Sequence, residues 1–371
     1  MSFADQNANV EIGDPASTPG NAAQIEPMPQ EEPTYAGLSA ESPPDEPNAI
    51  DVVVLGEILC DLYPVPLGAP AELSRRWELH PGGAPANVAV QLARLGLAVE
   101  LWTVLGDDPW SRLLTAQLRT EGVGLAGVQS RPGLRAGATL VHCDPQGERS
   151  FTALHHQRSD LSFAPEDLAG MDQRRSAWLL HGTVSLSGEP AATATREAVR
   201  RTRARGGVVI VDVNLRPGMF HTREAMLEAA WWAIRHADVV KATREEASAL
   251  VTFLDGSAGD DGELLRRLLR AGPRLVLMSM GPEGALAGAG SVQASLAALP
   301  TEVVDATGAG DAFLGAAVSA LRSMGVTREQ LQTLNVEALQ TVLRAGNRAG
   351  SAACGAVGAT TGMLRLDDLS P

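Results

Sequence analysis

The sequence predicts an α/β protein in which a mostly parallel sheet is flanked by helices, with a small β-sheet lid set off from it. Three observations predict this. Short aliphatic, β-branched runs alternate with longer amphipathic segments from residue 51 onward. Gly or Pro marks many of the joins. The alternation breaks at 137–154, where two strand-like runs follow one another around a turn.

The elements follow in order. Asp51–Glu57 (DVVVLGE) reads as a buried strand, Ala84–Leu95 as a helix stopped by Gly96, Val99–Leu105 as a strand, and Pro109–Thr120 as a helix with Pro at its start. Gly137–Cys143 and Arg149–Leu154 read as a hairpin around Asp144-Pro145-Gln146-Gly147. The Pro- and Gly-containing segment 61–80 reads as a second excursion that pairs with this hairpin, so the lid spans about 61–80 and 137–160. Alternation then resumes: strands at 177–180, 208–213, 239–240 and 275–278, and helices at 190–204, 222–235, 243–252 and 263–270. Helices at 309–321 and 336–353 close the chain.

Apolar residues make up 44% of the 371-residue chain, enough for a substantial core, and no run of 18 or more spans a membrane. A net charge of −14 argues against general nucleic-acid binding. Nine of the acidic side chains fall within residues 1–50, which hold no Lys or Arg. Residues 1–49 are therefore expected to be a disordered acidic tail, and 50–371 the folded domain. Three cysteines without metal-type spacing, and the lack of a secretory signal pattern, fit free thiols in the cytoplasm. Lys241 is the only lysine, so charge at an anion site is expected to come mainly from Arg or backbone amides.

The most informative stretch is Val303–Phe313 (VVDATGAGDAF). Apolar residues lead into a Gly-rich turn and a helix follows at once, so successive N–H groups can form a nest for phosphate oxygens. A carboxylate in such a nest would repel phosphate. Asp311 makes sense there as the acceptor of a proton from a hydroxyl aimed at the phosphate. Spacing alone leaves a second reading open, a carboxylate that caps the helix. The loop is not G-x-x-x-x-G-K-[ST].

DATGAGDAFLGAAV resembles the C-terminal signature of the PfkB, or ribokinase, family of carbohydrate kinases, and Pro81–Ala89 (PGGAPANVA) with Gly96 and Gly106 resembles its N-terminal one. The resemblance covers roughly residues 50–365 and implies a ribokinase-like fold. It makes Asp311 the catalytic base and the Gly308, Ala309 and Gly310 amides an anion hole. Asp305 and Thr307 would help hold a potassium ion. Ala306 departs from the hydroxyl or proline-type residue usual at its position.

The remaining site residues follow from the same comparison, supported by their places after strands. Gly56–Asp61 (GEILCD) is similar to the G-E-x-x-x-D of fructokinase-like members and puts Asp61 on the sugar, with Gly82, Gly83 and Asn87. Asp144–Phe151 resembles a lid hairpin that would bring Glu148 or Arg149 over the substrate, whereas 154–160 departs from the small Gly/Ala-containing segment common there. Asp212–Arg216 (DVNLR) resembles D-x-N-x-R, placing Asn214 by the sugar and Arg216 by the transferring phosphate. On the nucleotide side, Lys241–Glu246 resembles K-x-N-x-x-E, with Thr243 for the usual Asn and Glu246 organising magnesium through water. Thr243 and Glu246 also have the spacing of a helix capping box. Ser279, Gly281 and Gly284 resemble a nucleotide-bordering T-x-G-x-x-G, Asn347 falls where adenine is often touched, and Gly358-Ala359 resembles the terminal G-A.

The implied reaction moves the γ-phosphoryl of Mg-ATP to a primary hydroxyl of a sugar. The elements lean toward fructose, with 2-keto-3-deoxygluconate next, then ribose or a nucleoside. Expected partners are the sugar and ATP, with dimerisation through the lid by resemblance. A catalytically silent, sugar-sensing relative is the alternative from another class. An intact Asp311 and glycine turn argue against it.

Overall fold

β1 (Val52–Leu55) is four aliphatic residues buried on both faces. Val52 and Val54 join the apolar layer of α1 (Ala84–Arg94), α2 (Pro109–Thr120), α7 (Ala309–Ser323) and α8 (Val336–Ala353). Val53 and Leu55 join that of α3 (Ala191–Ala204), α4 (Arg223–His236), α5 (Arg244–Asp255) and α6 (Asp261–Arg270). The period of two sends alternate side chains into opposite helical layers. A strand buried in this way reads as a continuous hydrophobic run.

The computed structural model describes residues 50–70, 73–143, 149–154, 158–173 and 178–369. The expected acidic tail, the hairpin turn with Glu148, and His155 and His156 lie outside them. Among the described residues, nine strands form the main sheet in the order β13-β12-β11-β10-β9-β8-β1-β4-β5. The others are β4 (Val99–Leu105), β5 (Val128–Ser130), β8 (Trp178–Gly182), β9 (Val208–Asp212), β10 (Val239–Thr243), β11 (Leu275–Ser279), β12 (Ala285–Ala289) and β13 (Val292–Leu296). Pairing is parallel from β5 to β11, and β12 and β13 add an antiparallel edge. The carboxyl ends of β1, β9, β10 and β11 therefore share one edge, where open parallel sheets bind ligands.

A second sheet runs β3 (Trp77–Gly82), β2 (Leu59–Pro64), β6 (Gly137–Cys143), β7 (Arg149–Ala153). The segment after β1 thus pairs with the hairpin, as expected, through a parallel β2–β6 ladder. Two expectations change. The strand expected at 239–240 extends to Thr243, because Lys241 is accommodated inside the sheet by an ion pair with Asp212. Strands β5, β12 and β13, at the two ends of the main sheet, were not foreseen. No helix among the described residues is long and apolar enough to cross a membrane.

Candidate active site

The glycine turn opens α7. Gly308 is its N-cap, at φ 79° and ψ −4°, and no side chain caps the helix. A methyl at Gly308 would stand 2.2 Å from the Ala359 carbonyl, so both the left-handed backbone and the close approach require glycine. Asp305 is buried and pins the turn: Oδ1 accepts from the Thr307 amide and Oδ2 from the Gly358 amide, each at 2.9 Å. Of the three expected amides, that of Ala309 already donates to the Ala306 carbonyl at 3.2 Å. Those of Gly308 and Gly310 lead into the first turn of α7, where intrahelical acceptors run out.

Asp311 follows in that first turn, and it does not cap the helix. Its Oδ2 accepts from Asn87 Nδ2 at 2.8 Å. Asn87, expected on the sugar, thus reaches from α1 to the carboxylate and fixes its orientation. Asp311 keeps some exposure through the cavity mouth, yet protein crowds it enough that lost hydration pushes its carboxyl up, against the opposing pull of Lys241, Asn87 and Arg216.

Lys241 lies beneath the turn. A methyl at Gly310 would come 2.8 Å from its Nζ, so the missing side chain admits the ammonium. Nζ pairs with Asp212 Oδ1 at 3.1 Å, both side chains being buried. Burial works against the ammonium, but Asp212, Glu246 and Asp311 outweigh it and hold the proton on. A lysine was not expected at this site. It stood in the sequence only as the first residue of the K-x-N-x-x-E resemblance, on the nucleotide side.

The second sheet supplies the opposite wall. Asp61 is buried, and its Oδ1 accepts from the Thr139 hydroxyl on the neighbouring strand. Burial pushes its carboxyl up to about 6, with the Thr139 bond and Arg216 opposing. Gly82 makes room for this residue: a methyl there would stand 2.1 Å from Asp61 Oδ2. Gly83, at φ 101°, gives the same clearance to the Glu57 carbonyl. Gly82→Ala should therefore displace Asp61 and lower kcat/KM for the sugar by about 10²-fold, since a misplacement near 1 Å can cost that much, with the ATP KM nearly unchanged. A sugar kcat/KM equal to wild type in steady-state kinetics would remove Asp61 from the sugar site.

Asp61, Gly83, Asn87, Lys241, Gly308, Gly310 and Asp311 line one cavity of about 360 Å³. Asn214, at φ 35°, and Arg216 enter it from the carboxyl end of β9, with the Arg216 guanidinium 5.6 Å from the Phe151 ring centroid. Glu57, Arg158, Phe151 and Met219 also line it, and none of them was foreseen as a ligand contact. A larger cleft of about 760 Å³ with five arginines lies around Asp238 and Gly272–Arg274, just before β10 and β11, at the amino edge of those strands. It contains neither the glycine turn nor Asp311.

On the nucleotide side the capping box is real: Thr243 and Glu246 bond reciprocally at the start of α5. Glu246 also faces the cavity, its oxygens accepting from the Leu215 and Thr243 amides at 2.8 Å each. The lone pairs left over suit a water-mediated contact to magnesium. Ser279 sits beside Thr243 in register across β10 and β11. Gly284 abuts residues 296–298, and Asn347 Nδ2 donates to the Leu296 and Ala297 carbonyls at 3.0 Å. Gly281 opens the turn between Ser279 and Gly284. Ser279, Gly281, Gly284 and Asn347 are not among the residues that line the cavity. Thr307 Oγ1 is buried with no partner, a hard oxygen suited to an alkali cation near Asp305. No group of three or more His, Cys, Asp or Glu among the described residues is placed to hold a metal ion. Arg149 is placed by its backbone in β7.

Residues 49–365 match the family described as pfkB family carbohydrate kinase. The chain is 32% identical over 316 residues to a fructokinase of Klebsiella pneumoniae, covering 85% of this chain and 97% of that protein. Among solved structures, a fructokinase with bound ATP from Xylella fastidiosa superposes with a TM-score of 0.76 at 27% identity, covering 86% of this chain and 96% of that one. A double mutant of the Vibrio cholerae fructokinase, in a fructose-, ADP- and potassium-bound form, gives 0.73 at 28% identity, covering 85% and 95%.

Proposed function

The chain belongs to the pfkB family of carbohydrate kinases, and from that premise we propose that it transfers the γ-phosphoryl group of ATP to a primary hydroxyl of fructose. One observation carries the reading. A carboxylate oriented by Asn87 stands directly after a glycine turn, with an ammonium beneath it. The fructokinase relatives and the fructose-bound neighbour support the choice of sugar.

Asp311 accepts the hydroxyl proton as the sugar oxygen forms its bond to phosphorus and the bond to the ADP oxygen breaks. The Gly308 and Gly310 amides, Lys241 and Arg216 face the charge on the moving group, so catalysis is positioning plus electrostatics. Asp61 and Asn214 grip hydroxyls from the lid side and the sheet side. Magnesium carried by the nucleotide would be held through water by Glu246, and potassium by Thr307 with Asp305. Both supply positive charge against the phosphates. The second sheet closes over the sugar and excludes water that would otherwise take the phosphoryl group.

A panel of fructose, 2-keto-3-deoxygluconate, ribose and nucleosides with ATP tests this. Fructose is expected to give the highest kcat/KM. Phosphorylation of another member in strong preference to fructose would overturn the sugar assignment. No turnover of any member would overturn the catalytic reading.

A further inference from the structure

We infer that Glu57 and Arg158 form a specificity-determining corner of the sugar site that grips one uncharged hydroxyl of the acceptor, away from the hydroxyl that is phosphorylated. The inference rests on the kinase reading above and adds what the acceptor must carry at its other end.

Glu57 follows β1, is 4% exposed, and lines the cavity with Oε2 buried and without a hydrogen-bond partner. Arg158 is 7% exposed and lines the same cavity. Its Nε and Nη2 hold the two Asp160 oxygens at 3.0 and 2.5 Å, which fixes the guanidinium plane. Its Nη1 meets only the Met219 thioether, at 2.7 Å, a weak acceptor for a charged donor. Gly137 leaves room for this arginine: a methyl there would lie 3.3 Å from Nε.

One wall of the cavity therefore presents a buried acceptor lacking a donor and a buried donor lacking an oxygen. Leaving such groups unpaired is costly, so the site favours a ligand that completes both. A hydroxyl does so, donating to Glu57 and accepting from Arg158. A sugar carboxylate does not. It would meet Glu57 and Asp61, while Arg158 is already committed twice to Asp160.

The test compares fructose with its singly deoxygenated analogues in wild type, Glu57→Gln and Arg158→Lys, with thermal unfolding confirming the fold of each. In wild type one analogue should lose about 10²-fold or more in kcat/KM, because a site built to bond a hydroxyl rejects its absence. In Glu57→Gln the fructose KM should rise roughly tenfold with kcat and the ATP KM little changed, and that one penalty should largely vanish while the others persist. Arg158→Lys, which loses the planar fork, should relax the same position. Identical analogue ranking in all three proteins overturns the corner. So does wild-type preference for a sugar acid, with the kinase reading left standing. Absence of all sugar turnover by wild type sinks the kinase reading, and the corner falls with it.

Discussion

Asp311→Asn should lower kcat by 10²–10⁴-fold, the usual range for loss of a general base, while ATP binds with nearly wild-type affinity. The substitution is close to isosteric. The carbonyl oxygen of the new side-chain amide can still accept from Asn87, so α1 and α7 stay joined and the cavity keeps its shape. What disappears is the ability to take the hydroxyl proton. Rapid-quench or steady-state rates, paired with calorimetric titration of ATP, separate the two quantities. A variant keeping more than about a tenth of wild-type kcat would leave proton removal to another group. A variant that fails to bind ATP would make the carboxylate a structural element of the nucleotide site.

The second large effect is on stability. Burial pushes Glu57 from 4.5 up to about 7, reinforced by Asp160 and opposed by Arg158 and Arg216. Between those pH values the unfolded chain has released the proton and the folded chain still holds it. The folded state thus binds more protons, and stability falls as pH rises. The contribution is fully present below the unfolded value and lost as pH climbs through 7. A shift of this size corresponds to about 3 kcal/mol. Glu57→Gln removes the term, so sugar-free Glu57→Gln should unfold at higher urea than wild type at pH 8 and at nearly the same urea at pH 4. A pH-independent difference between the two proteins would mean that Glu57 titrates normally. The substitution that impairs sugar binding is thus expected to strengthen the empty fold, as happens where a site holds groups in costly surroundings.

The parts of the fold that were legible in the sequence are those with local causes. Pro109 and the apolar period gave the bounds of α2, and the long periodic run 336–353 gave α8. β12 and β13 were illegible because ALAGA and VQASL offer few β-branched or aromatic residues, and their burial comes from packing on α6 and α8. In the site, the turn and Asp311 could be read because backbone chemistry dictates glycine and a helix start within a few residues. The burial of Lys241 beneath the turn could not, because the carboxylate that pairs with it, Asp212, lies 29 positions away. Nor could the meeting of Arg158 with Glu57 at one cavity, which two separate segments bring about. Asn87 was found by its motif, but its partner lies 224 positions away, beyond any local pattern.

The clamp by which Asp305 ties the turn to Gly358, with Ala359 packed against Gly308, has a consequence for how the rate arises. The arch proposed to receive the phosphoryl group has one abutment in the stretch before α7 and the other at Gly358-Ala359. It stands complete before any nucleotide arrives. Its dipoles therefore need little swing when negative charge builds up, and the cost of orienting them is met once, when the chain folds, instead of at every turnover.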